Sequence, residues 1–138
     1  IGGTPISVET KFPLHFIKWS LETEVESLKK IDVGIMPLVD DLESRGKAGF
    51  KLLQYMGLGI ASIASPLTIN TEIVDHNRNS FLANDINEWR SILIEILSNK
   101  VELLKIGEEA RKTVEKNFSF KGNKKKYCNF IIRINNEN

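Results

Sequence analysis

Apolar residues along the chain fall into two alternating kinds of run. PLHFIKWS (13–20), DVGIMPLV (32–39), IASIAS (60–65) and NSFLAN (79–84) are short and rich in β-branched, aromatic or small residues, and they predict strands. The run 32–39 is almost continuously apolar and broken by Pro37, the pattern of a strand buried on both faces. Between the strands, apolar residues recur at helical spacing. Leu21, Val25, Leu28 and Ile31 predict one helix, with Thr23 and Glu26 as a capping box. GFKLLQYMGLG (49–59) predicts a short helix ending at Gly57 and Gly59, and INTEIVDHN one or two helical turns. Asp85 with Glu88 starts a helix whose face is Trp89, Ile92, Leu93, Ile96 and Leu97. Leu103, Ile106, Ala110 and Val114 repeat the spacing, and a last short helix follows. This alternation predicts an α/β fold, a parallel sheet flanked by helices. Ligands of such sheets bind beyond the carboxyl ends of the strands. The loops after strands 32–38 and 60–65 share that edge and could form one site.

Composition narrows the ligand. With 138 residues, 41% hydrophobic and 27% charged, the chain suits one ordinary globular domain. Nineteen basic and 18 acidic residues leave a net charge of +1, which argues against a broad nucleic-acid surface, so an anion site must be local. Cys128, the single cysteine, suits a reducing compartment and reads as a buried or half-buried small hydrophobe. Trp19 and Trp89 read as core, and Lys124, Lys125 and Lys126 as a solvated face. His15 and His76 lack partners at metal-ligand spacing, so no zinc site is expected; separately, no cofactor is expected. The opening IGGTPI has no Met and reads as a strand end and its turn, as in a fragment truncated on its N-terminal side.

The stretch SRGKAGFKLLQYMGLG (44–59) sets lysines beside glycines ahead of a helix, where backbone charge disfavours cations. It is no P-loop, because Asp41 stands at the first glycine position and Ala48 at the Ser/Thr position. Its parts still suit a phosphate: Gly46 and Gly49 permit close backbone approach, helix N–H groups donate, and Lys47 and Lys51 carry charge. Alternatively Asp40, Asp41 and Glu43 pair with Arg45, Lys47 and Lys51 in a solvated cluster, which composition alone favours slightly. Glu72 could accept hydrogen bonds from sugar hydroxyls or serve as a first-turn acid of its own helix.

The ordered set DVGIMPL…GKAGFKLLQYMGLG, ASPLTINTEIV, NSFLAND and IGEEARKTVEKNFS, from about Pro13 to Ser119, resembles the C-terminal half of GT-B glycosyltransferases of the retaining, group 1 family. The resemblance implies a Rossmann-like, donor-binding domain, N-terminally truncated over 1–138 and expected to be inactive alone. It implies hexosyl transfer from a nucleoside-diphosphate sugar to a carbohydrate or lipid-linked acceptor, with a separate N-terminal domain as partner. The implied location is the cytoplasm or the inner face of the membrane. Donor residues carried over are Lys47, Gly49, Phe50, Lys51, Gln54 and Glu72, with no catalytic residue assigned. Two departures stand out: where relatives have a Glu-x7-Glu pair, this chain has Gly46 and Gln54, and the paired glycines before Glu72 are Thr68 and Ile69. A non-catalytic anion-binding or protein-interaction module is the alternative.

Overall fold

Parallel pairing of three short strands organises the residues from Val33 onward. The computed structural model describes residues 1, 9–98 and 100–136. The strands are β1 (Val33–Met36), β2 (Ala61–Ala64) and β3 (Phe81–Leu82), in the order β1-β2-β3. Val33 pairs with Ala61 and Met36 with Ala64, then Ile63 with Phe81 and Ala64 with Leu82. All four β2 residues are buried, as a strand covered on both faces requires. In β1, by contrast, Ile35 is 51% exposed, which corrects the expectation of burial on both faces. β1 forms an edge of the sheet among the described residues, and an edge strand has fewer neighbours to cover it.

The helices among the described residues are α1 (Glu24–Leu28), α2 (Leu42–Arg45), α3 (Phe50–Gly57), α4 (Ile69–Ile73), α5 (Ile86–Ser98), α6 (Lys100–Asn117) and α7 (Phe120–Asn136). Strand alternation sorts the core into two clusters. Met36 and Ala64 face Leu52, Met56, Ile73, Val74 and Ala110 from α3, α4 with the residue after it, and α6. Ala61, Ile63 and Phe81 face Ile92 and Ile96 of α5 and Ile106 of α6 on the other side. The α6 helix therefore contributes to both clusters. Asp85 caps α5 as expected, its Oδ1 accepting from the Asn87 and Glu88 amides at 2.8 and 3.0 Å.

The chain divides into a compact unit Ile1–Asp32 and a second, Val33–Asn138. In the first, residues 13–20 form no strand, because a strand persists only in a hydrogen-bonded ladder and none includes them. Thr23 stands at the N-cap of α1 with helical φ −110° and ψ −4° and makes no side-chain cap bond. A capping side chain reaches the following amides from extended backbone, so the expected capping box fails, and Glu26 pairs with Lys29 at 2.8 Å instead. Trp19 is half exposed rather than core, and its indole N–H donates to Glu24 Oε1 at 2.6 Å.

Corrections at the other end concern α7, which runs 17 residues where a short helix was expected. No proline interrupts it, and its apolar residues keep helical spacing. Cys128 lies exposed on it, not buried.

One contact limits how α6 lies. Gly59 ends α3 in left-handed conformation, φ 73°, and its amide donates to Met56 O at 3.0 Å. A Cβ on Gly107 of α6 would come within 2.0 Å of the Gly59 carbonyl oxygen. Gly107→Ala is therefore expected to destabilise the fold by about 3 kcal/mol or more, measured by urea denaturation. Gly57→Ala, whose Cβ would meet Val114 at an ordinary 3.6 Å, is expected to be neutral or slightly stabilising in the same assay.

Candidate functional site

The loops that follow β1 and β2 are joined at their roots by one serine. Ser65 donates its amide to Met36 O at 3.2 Å and accepts the Leu38 amide on Oγ at 2.9 Å. Its carbonyl accepts from Asn70 Nδ2 at 3.0 Å, which ties in the start of α4. Sequence reasoning passed over Ser65 as part of an apolar run. Its signal was position, since a hydroxyl just beyond a buried strand end can satisfy a loop amide.

The loop after β1 contains an unpredicted element, α2. Asp41 caps it, with Oδ1 accepting the Ser44 amide at 2.7 Å, and that hydrogen bond holds the Asp41 carboxyl below its ordinary range. Arg45 grips Asp40 with two bonds, 2.6 and 3.0 Å, which holds Asp40 low as well. Lys47 Nζ lies 3.4 Å from Glu43 Oε1. These three acids are thus engaged with Ser44, Arg45 and Lys47. Among the described residues Lys51, in the first turn of α3, pairs with no carboxylate.

Gly49 starts α3 at φ 65°, a conformation glycine adopts without strain. A side chain here would also crowd Ile73, Ile69 and the Asn70 amide at 3.0–3.2 Å. Lys47, Gly49, Phe50 and Lys51 line one hollow of about 470 Å³, floored by Met36 and Pro37 of the β1 end. Phe50 is 69% exposed at its rim. Gln54 follows one turn along α3, half-buried and outside that lining. Glu72, exposed in the first turn of α4, lines a different hollow of about 550 Å³ with Asp75, Arg78, Lys112 and Lys116. The structure therefore gathers four of the six expected donor residues around one cavity and puts Glu72 on another.

Two features of the second loop escaped the sequence. Thr68 occupies φ 45°, ψ −122°, a region open to glycine and strained for a β-branched residue. Asn70 is buried, and its Oδ1 finds no hydrogen-bond partner among the described residues.

Comparison with known proteins decides the affiliation. Residues 8–99 match the profile of the family described as Glycosyl transferases group 1. The chain belongs to the group 1 glycosyltransferase family. Its fold is similar to the crystal structure of the C-terminal domain of a group 1 family glycosyl transferase, LpcC, from Francisella tularensis. The TM-score is 0.58 at 20% identity, over 77% of this chain and 52% of that one. The chain thus spans about half the length of that solved domain. No curated protein matches it.

Relieving the strain at Thr68 is expected to stabilise this glycosyltransferase-family domain. Thr68→Gly should raise the unfolding free energy by about 1 kcal/mol, read as a higher Tm, and a lower Tm would remove the strain argument. Asp40, paired with Arg45, and Asp41, the cap of α2, give a pH effect of fixed sign. A carboxyl held below its ordinary range stabilises the folded form above that range, and the gain disappears as pH falls through its folded value. Loosening of α2 is expected on acidification, below the usual carboxylate range, seen as faster amide exchange at Ser44 and Arg45 before the strands respond.

Proposed function

We propose that this domain holds the nucleoside-diphosphate sugar donor of a retaining hexosyltransferase. The observation that carries the reading is Lys51, a cation without a carboxylate partner among the described residues, at the start of α3 and on the wall of a cavity at the sheet's carboxyl edge. Departure of a nucleoside diphosphate concentrates negative charge on the β-phosphate. Positive charge and unbonded helix N–H groups aimed at that point lower the barrier. Lys51 is the proposed diphosphate contact and Lys47 its neighbour, with Gly49 giving backbone access and Phe50 forming the rim. Gln54 is proposed to hydrogen-bond ribose hydroxyls as a neutral group. Glu72 is proposed to reach the sugar from the adjoining loop.

The acceptor is proposed to be a carbohydrate or a lipid-linked one, met in the cleft with a separate N-terminal domain. The setting proposed is the cytoplasm, which suits the single thiol. No helix among the described residues is long and apolar enough to cross a membrane. Gly46 and Gln54, which replace a pair of acids in relatives, favour a second reading, a non-catalytic module that binds an anion or a protein.

Calorimetric titration of the protein with UDP, GDP and their sugars separates the two. Binding to at least one of them is expected, weakened roughly 10- to 100-fold by Lys51→Ala, as loss of one charge-assisted hydrogen bond implies. Silence with all of them, the fold intact, leaves the interaction module. Unchanged binding by a Lys47→Ala/Lys51→Ala protein moves the site elsewhere.

A further inference from the structure

We infer that Asn70 lowers the affinity of the α3 start for a free nucleoside diphosphate and so favours product release, an inference that rests on the donor reading. Asn70 is 1% exposed, and its Oδ1 is a buried oxygen without a hydrogen-bond partner among the described residues. Chemistry fixes its orientation. Nδ2 donates to Ser65 O at 3.0 Å, and exchanging the two amide atoms would set oxygen against oxygen. Oδ1 is left facing the amino end of α3, where a Cβ on Gly49, the N-cap, would stand 3.2 Å from it.

That end of α3 is rich in unspent donors. The amides of Phe50, Lys51 and Leu52 find no acceptor among the described residues, and Gly49 has no side chain to cap them. Gly49, Phe50 and Lys51 all line the cavity, so these amides and the Lys51 ammonium make its wall positive. Oδ1 is the negative end of an amide dipole aimed at the same place, within an interior that screens it weakly. It therefore attenuates the potential that an anion meets there. A buried acceptor without a donor also costs stability, so folding alone does not account for it.

The effect grows with ligand charge. The terminal phosphate of a free nucleoside diphosphate carries more negative charge at neutral pH than the same phosphate esterified to a sugar. An opposing dipole thus weakens the product more than the donor. Helix amides together with a lysine hold a diphosphate tightly, and slow product release sets the turnover of many enzymes. Asn70 works against that limit.

Calorimetric titration of wild type, Asn70→Leu and Asn70→Ala with UDP, GDP, UDP-glucose and GDP-mannose tests this. Asn70→Leu nearly keeps the side-chain shape, and Ser65 O retains the Leu67 amide at 2.8 Å, so that carbonyl is not left unpaired. Asn70→Ala serves if the branched side chain does not fit. Both variants should bind the diphosphate that wild type binds roughly three- to tenfold more tightly, with a smaller gain for its sugar. A merely structural role predicts the opposite sign, since a loosened loop weakens binding. In wild type, the Asn70 side-chain amide signals in nuclear magnetic resonance spectra should shift as the diphosphate binds. Unmoved signals, equal gains for diphosphate and sugar donor, or unchanged or weaker binding by folded variants overturn this inference and leave the donor reading standing. Silence of wild type with all four ligands removes the donor reading and this inference with it.

Discussion

The contact between Gly59 and Gly107 sets the geometry on which the candidate site depends. Two backbones meet there with no side chain between them, so α6 can press against the turn that ends α3 and begins β2. From that point α6 contributes Ile106 to one core cluster and Ala110 to the other. Its position fixes the C-terminal end of α3. As α3 has only eight residues, its other end at Gly49 and Phe50 is fixed with it. The cavity-facing end of the helix is thus aimed from behind.

What could be read from the sequence divides along the same physical line. β2, α3, α4, β3 and α5 were legible because local pattern and tertiary burial agree there: Ile63 is buried in a run that looks buried, and Asp85 caps where a cap is needed. Residues 13–20 and Thr23 misled because their signals are conditional. A strand needs a neighbour, and a cap needs extended backbone, and neither condition is written in the residues themselves. Ile35 misled for a related reason, since a run apolar on both faces does not say whether it will be central or at an edge. In the candidate site, Lys47, Gly49, Phe50 and Lys51 share a cavity because they are near neighbours along one loop and helix start. The separation of that cavity from Glu72 was not legible, because it depends on how α4 turns after Thr68.

Charge around the loop is distributed with an asymmetry that composition concealed. Counting residues from Asp40 to Lys51 gives three acids and three bases, an even balance that suggests a neutral patch. Helix geometry breaks the balance. Asp41 is spent on a backbone amide rather than a cation, and Asp40 and Glu43 go to the two bases nearest them. The uncompensated charge falls on Lys51 because α2 intervenes, and α2 exists because Asp41 can cap it.

That short helix also sets an energetic condition on anything that binds beside it. α2 has four residues, and its ion pairs, Asp40 with Arg45 and Glu43 with Lys47, are exposed to water, whereas β1 and α3 on either side anchor to a packed core. Its local unfolding free energy therefore belongs at the low end of the molecule's range, well below that of β2. A ligand that requires the loop closed must supply the ordering free energy out of its own contacts, and its observed affinity falls short of its intrinsic affinity by that amount. A ligand that closes the loop would accordingly protect the segment between Asp40 and Ala48 from proteolytic nicking.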